Sequence, residues 1–280
     1  MSLQEILCCL GKPVGGQPHQ YVMEKAFVAA GLDCRYVTFE VGEESVADAV
    51  KGLASLGFQG AQVDAPLRGL VASLLDKLTD QARQASCVDL IFRDDNGTLT
   101  GDATYGSALT NELKERIELS GQRAIVFGHD PAMAAVVTAL IDQGLSEINI
   151  VSDDPSTVEQ WFSRDSPNGL KVIAADDFPR VEEAVQTIEI VVNGIESREA
   201  SQDRDWDVLL ENLSPKTVFA DISLNPNTSP LVNYARAGDR EYIDGLTWMI
   251  ERYILAFQRW TAMQPDKRLM REALEEFLMV

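Results

Sequence analysis

Apolar runs of strand length alternate with stretches of helical period almost from one end of this chain to the other, and that alternation restricts the fold more than any other feature. EILCCLG (5–11) reads as a strand and QYVMEKAFVAAG (20–31) as a helix closed by Gly31. CRYVTFEV (34–41) is a strand, and SVADAVKGLASLG (45–57) a helix from a Ser45 cap to Gly57. FQGAQVD (58–64) is a strand, and a helix is predicted through GLVASLLDKL (69–78). Residues 84–102 read as a hairpin-like pair around Asn96-Gly97. A second series follows. RAIVFG (123–128), EINIVS (147–152), EIVVNG (189–194) and TVFADIS (217–223) have the continuous apolar character of buried strands, and AMAAVVTALIDQG (132–144) that of a helix. Strands joined by helices of crossover length imply parallel βαβ units. Two long helices, 245–263 and 267–279, close the chain.

A length of 280 residues suits two domains better than one. The pattern places the N-terminal α/β domain at 1–103, a Rossmann-type domain at 104–244 and the helical tail at 245–280. Two such domains imply a cleft at the carboxyl ends of their strands, where open α/β sheets bind ligands. The net charge of −20 repels phosphate backbones and argues against nucleic acid as a partner. No apolar run reaches spanning length, and MSLQEILCCL lacks the basic start of a secretory signal, so neither membrane nor export is expected. Cys8, Cys9, Cys34 and Cys87 make no disulfide framework; reduced, buried thiols point to a cytoplasmic protein. Two histidines and no CxxC give no zinc spacing, so no metal is expected.

GFQGAQVDAPLRG (57–69) gathers an amide (Gln62), a carboxylate (Asp64) and a guanidinium (Arg68) around Pro66, which stiffens the turn. Around this stretch the chain resembles the shikimate dehydrogenase family, over nearly its whole length. GKPVGGQPHQYVMEKAFVAAGLDCRYVTFEV keeps the spacing of that family's opening. GFQGAQVDAPLRG resembles its Gly-Phe-x-Gly-x-Asn-Val-Thr-x-Pro-x-Lys, and GTLTGDATYG its Gly-x-Asn-Thr-Asp segment. DISLNPNTSPLVNYARAG and YIDGLTWMIERYILAFQRWTA are similar to its closing signature. The resemblance implies an α/β substrate-type domain, a Rossmann-type domain, and C-terminal helices returning to the first. It also implies an NAD(P)-type oxidoreductase of aromatic amino acid biosynthesis, acting as a monomer or homodimer on a small carboxylate-bearing molecule.

Scaffold positions match and polar ones mostly do not. The family's catalytic lysine and aspartate correspond to Arg68 and Tyr105, and the serine pair that holds the substrate carboxylate to Gln17 and His19. Its other substrate contacts correspond to Gln62, Asp64, Asp89 and Arg252. An arginine does not release its proton, so Arg68 cannot shuttle one. Tyr105 could exchange a proton if a neighbouring cation lowered its pKa. A simpler arrangement pairs Arg68 with Asp64 or Asp89 and leaves Tyr105 filling space above them, with His19 a cap or surface residue. Two outcomes remain open: a site neutralised from within, or a new anion site gripped by two arginines.

The cofactor side is altered as well. The family's Gly-Ala-Gly-Gly-Ala loop reads Gly128-His129-Asp130-Pro131-Ala132 here, which puts a carboxylate where a pyrophosphate would lie and fits a capped helix start. Asp153 and Asp154, after the second strand of the series, suit a ribose hydroxyl and oppose a 2′-phosphate; NAD is therefore the expected dinucleotide, if one binds. Asp-Asp-Pro serves equally as a turn and helix start. Asn193 and Gly245 keep positions that the resemblance places near the cofactor. The functional expectation is an oxidoreductase with a changed substrate or weak activity on shikimate; the alternative is a non-catalytic protein that binds a metabolite or partner.

Overall fold

A computed structural model describes residues 4–162, 169–194, 213–222 and 230–280. Residues 223–229, which belong to one of the family-like stretches above, lie outside them. The chain divides into two compact units, 1–105 with 250–280, and 106–249.

The first unit is built on a mixed sheet. Its elements are β1 (Glu5–Gly11), α1 (His19–Ala29), β2 (Cys34–Glu40), α2 (Val46–Ser55), β3 (Gly60–Val63), α3 (Arg68–Ala72), β4 (Lys77–Leu78), α4 (Asp80–Ala85), β5 (Leu90–Arg93) and β6 (Leu99–Asp102). The strand order is β2-β1-β3-β5-β6-β4. β2, β1 and β3 run parallel, and β5 is antiparallel to both β3 and β6. Cys8 and Cys9 point to opposite faces yet both are fully buried, so β1 is covered on both sides. The β5–β6 turn follows from Asn96-Gly97: Gly97 has φ +78°, and the Asp94 carboxylate accepts the N–H groups of Asn96 and Thr98.

The C-terminal helices, α10 (Gly245–Thr261) and α11 (Lys267–Leu278), complete this unit through their residues from 250 onward. Phe257 stacks on Phe27 with ring centres 5.5 Å apart, and Trp260 Nε1 donates to the Ile91 carbonyl across the bare Cα of Gly60. A side chain at residue 60 would collide with both the Ile91 carbonyl and the indole.

The second unit carries a fully parallel sheet. It contains most of α5 (Thr104–Lys114), then β7 (Arg123–Phe127), α6 (Pro131–Asp142), β8 (Glu147–Ser152), α7 (Pro155–Trp161), β9 (Leu170–Ala174), α8 (Phe178–Val185), β10 (Ile190–Asn193), β11 (Val218–Asp221), α9 (Pro230–Ala237) and β12 (Tyr242–Ile243). The order β9-β8-β7-β10-β11-β12 is the 3-2-1-4-5-6 arrangement of a Rossmann sheet. Ile125, Phe127, Val191 and Phe219 form its solvent-free centre.

Two local expectations are corrected. The helix predicted over 69–78 stops at Ala72, and Lys77–Leu78 joins β6 as an edge strand. The side-chain ends of Leu75, Leu78 and Val88 close over the bare Cα of Gly101, and that packing outweighs the helical period. Ser45 does not cap α2 with its side chain; it ends a 3-10 turn, Glu43–Ser45, with helical backbone angles. No helix of the described residues is long and apolar enough to cross a membrane.

Candidate functional site

The carboxyl ends of β1 and β3, the start of α1, the segment between α4 and β5, and one face of α10 bring together most of the expected polar residues. Gln62, on β3, is buried, and its Oε1 accepts from the Tyr36 hydroxyl at 2.6 Å. Asp64, two residues further on the same side, faces His19: Nε2 of the imidazole lies 2.9 Å from Asp64 Oδ2. The other ring nitrogen, Nδ1, lies 3.0 Å from the Tyr253 hydroxyl. The Cys9 thiol points at the same Asp64 oxygen, 3.8 Å away. Arg68, which opens α3 one turn beyond Asp64, sends Nη2 to within 3.6 Å of Asp64 Oδ1.

The expectation that His19 is a cap or surface residue is corrected: it is 2% exposed and wedged between a carboxylate and a phenol. Burial works against the ionised form of Asp64, but the charge and hydrogen bond of His19, with Arg68 and Arg252, outweigh it and hold this carboxyl well below the usual range. Gln17, two residues before His19, is half-buried and closes a turn through its N–H on the Val14 carbonyl; its side chain is not joined to this set.

Tyr105 is enclosed by cations. The guanidinium carbon of Arg252 lies 3.9 Å from its ring centre and that of Arg68 4.5 Å. Full burial of the phenol nevertheless dominates, and its pKa is pushed up, well beyond that of an ordinary tyrosine. The cations pull in the direction that proton exchange by Tyr105 would need but do not overcome desolvation; the simpler arrangement, Arg68 paired with Asp64 and its guanidinium packed on the Tyr105 ring, is the one present. Arg252 is itself buried, at 2% exposed.

Asp89 accepts from the start of α5. Its Oδ1 accepts the Thr104 N–H at 2.7 Å and its Oδ2 the Tyr105 N–H at 2.9 Å, with the Thr104 hydroxyl shared between them. It caps the first turn of α5 from a position distant in the chain. Burial raises its pKa, opposed by Arg252 and the Thr104 N–H. Among the residues that sequence reasoning missed, Tyr253 and Cys9 touch this centre. Tyr253 follows Arg252 on α10, and Cys9 lies in an apolar run; neither stands in a motif that would single it out.

The expected cofactor residues lie in the second unit, at the ends of β7, β8 and β10 and, for Gly245, just past β12. Gly128 has φ +127° and His129 is exposed. Asp130 caps α6: its Oδ1 accepts the Ala132 N–H at 2.7 Å, and Pro131 at the first helical position has none to offer. At this helix start the Ala132 N–H is thus spent and the donor at residue 131 missing, and the Asp130 carboxylate adds repulsion to a pyrophosphate. These residues do not fit a dinucleotide held by the glycine-loop geometry. Asp153 is exposed just past β8, while Asp154 caps α7 through the Thr157 N–H and the hydroxyls of Ser156 and Thr157, which lower its pKa to about 2. Asn193 is buried and donates to Asp221 at 3.0 Å. Gly245 opens α10, where the Asp244 carboxylate accepts the Thr247 N–H.

Residues 10–91 match the family described as the shikimate dehydrogenase substrate binding domain. A shikimate dehydrogenase (NADP(+)) of Rubrobacter xylanophilus is 31% identical over 269 residues, covering 95% of this chain and 93% of the relative. This chain belongs to the shikimate dehydrogenase family. A shikimate dehydrogenase (NADP(+)) of Salinibacter ruber is 30% identical, covering 92% of each chain. The fold agrees with that of solved structures. A Listeria monocytogenes shikimate 5-dehydrogenase in complex with shikimate and NAD superposes with a TM-score of 0.87 at 23% identity, over 97% of this chain and 96% of that one. The ligand-free 5-ketofructose reductase of a Gluconobacter strain gives 0.85 at 23% identity over 99% of each. Both relatives are named as NADP(+) enzymes, and the solved neighbours include complexes with NAD and with NADP+.

Proposed function

We propose that this chain is a divergent oxidoreductase of the shikimate dehydrogenase type whose substrate unit has been rebuilt for a small ligand other than shikimate. One observation carries the reading. At the two positions that correspond to the family's proton-handling lysine and aspartate stand Arg68, which cannot give up its proton, and Tyr105, whose phenol is fully buried with its pKa driven upward. Oxidation of shikimate in the family's arrangement needs a group at these two positions that takes the hydroxyl proton near working pH, and neither side chain meets that requirement.

The same substitutions redirect binding. Arg68 and Arg252 offer planar donors suited to a carboxylate, and Gln62 an amide, while Asp64 and His19 hold each other where the resemblance implies a carboxylate grip. A small carboxylate-bearing molecule is the ligand class we assign. Asp153 and Asp154 favour NAD over NADP. The spent helix start at Asp130 favours a second reading, a non-catalytic metabolite-binding protein.

Calorimetric titration of the purified chain with NAD and with NADP separates the two readings. Saturable NAD binding with none for NADP supports the oxidoreductase. Binding of neither transfers the chain to the second reading, and turnover of shikimate at a rate normal for a dehydrogenase would overturn both.

A further inference from the structure

Cys9 near the end of β1, His19 at the start of α1 and Asp64 just past β3 each present one ligand-capable atom, and these three atoms lie within 4.8 Å of one another, all buried. Asp64 Oδ2 is the shared point, 2.9 Å from His19 Nε2 and 3.8 Å from Cys9 Sγ. Tetrahedral zinc, with bonds of about 2.0–2.3 Å, holds nitrogen, oxygen and sulfur donors roughly 3.3–3.6 Å apart. The observed separations straddle that spacing, so modest side-chain shifts bring the donors to it.

The surrounding contacts orient the set. Tyr253 Oη, 3.0 Å from His19 Nδ1, accepts from that nitrogen when the imidazole carries its proton there, which frees the Nε2 lone pair. Arg68 engages Oδ1 of Asp64 and leaves Oδ2 turned to the other two donors. Arg68 and Arg252 oppose an uncompensated cation nearby. A thiolate and a carboxylate, however, supply two negative charges that balance the ion; as it enters, one proton leaves from Cys9 and a second from His19 Nε2, which donates to Asp64 in the metal-free fold. Thiolate with imidazole selects zinc-class ions over calcium and magnesium.

We propose that Cys9, His19 and Asp64 form a three-donor site for one divalent cation of the zinc class, with the fourth tetrahedral position left to an oxygen of water or of a bound ligand. The donors come together only in the fold; their spacing in the sequence resembles no zinc motif. The proposal concerns metal binding alone and does not depend on whether the chain turns over a substrate.

The test is cobalt titration of the full-length, chelator-treated chain, followed by absorption spectroscopy. One equivalent of Co²⁺ is expected to bind with a thiolate-to-cobalt charge-transfer band in the near ultraviolet, and one equivalent of Zn²⁺ to displace it. Cys9→Ala removes the band. Tyr253→Phe keeps it but weakens binding by about 10-fold, and His19→Gln weakens it further. Cys34→Ala serves as a control, because that thiol also faces a carboxylate, Glu5, at 3.6 Å, and the band must survive it. Absence of the band in the unmodified chain overturns the proposal. So does binding without the band, an adventitious ion only on an acidic surface, and so does a band that outlasts Cys9→Ala or vanishes with Cys34→Ala. If Cys9→Ala does not fold by circular dichroism, the unmodified and His19→Gln spectra decide.

Discussion

The guanidinium carbon of Arg252 stands 3.9 Å from the centre of the Tyr105 ring, in a part of the protein where both residues are almost completely buried. With Arg68 4.5 Å from the same ring, this is a desolvated cation–π arrangement, of the kind worth about 2 kcal/mol per cation. Tyr105→Phe keeps the ring face and is expected to cost about 1 kcal/mol. Tyr105→Leu loses the ring face and leaves two buried cations without it, for about 3 kcal/mol. Urea unfolding of the two variants measures the difference. Equal costs would mean that the hydroxyl, not the ring face, holds the arginines.

Asp64 sets the acid limit of the first unit. Its carboxyl is held below the ordinary value of about 3.9, so the unfolded chain takes up its proton first as pH falls. The stabilisation is complete above the ordinary value and is lost as pH falls from there toward the lower folded value. Asp64→Asn removes that dependence. It also takes from the Arg68 guanidinium its carboxylate, at a cost of about 3 kcal/mol at neutral pH. The double variant with Arg68→Met recovers part of the loss. Denaturation midpoints between pH 3 and pH 7 for the three proteins, the unmodified chain included, check both signs.

Asp130 is a helix cap, so Asp130→Ala costs about 1 kcal/mol in thermal or chemical unfolding. The same variant is expected to show no gain in dinucleotide affinity, because Pro131 still offers no N–H. Calorimetry that found tight NAD binding in Asp130→Ala alone would show the carboxylate to be the whole obstacle.

The four thiols are buried, with Cys8 pushed up to about 12 and Cys34 to about 11 by burial. None is expected to react with an aromatic disulfide reagent at about pH 8 in the native protein, and all react after denaturation. Rapid labelling of a native thiol would reveal an exposure absent from the fold.

Much of the architecture can be read directly from the sequence. Continuous apolar runs such as 123–128 and 189–194 mark the parallel strands of the second unit, because a strand covered on both faces needs no polar alternation. The start of β4 could not be read this way. Lys77 and Leu78 continue a helical period, and their pairing with Thr100 and Gly101 is a tertiary contact that no local pattern announces. Of the site, the identities of Arg68, Tyr105, Asp64 and Asp89 stand out as departures from the family pattern, but their partners do not. Asp89 could face an arginine or a helix end, and distance along the chain cannot choose between them. His19 reads as a surface residue because its partners, Asp64 and Tyr253, are 45 and 234 residues away. Desolvation of Tyr105, which decides its chemistry, is a property of the folded environment and has no local signature.

The most direct test of the account is a steady-state assay of the unmodified chain with shikimate and either NAD or NADP, followed by absorbance of the reduced nicotinamide. The account predicts turnover far below that of an ordinary dehydrogenase, because Arg68 and Tyr105 supply no group able to take the hydroxyl proton. Saturable reduction of either coenzyme by shikimate at a rate normal for a dehydrogenase would contradict it.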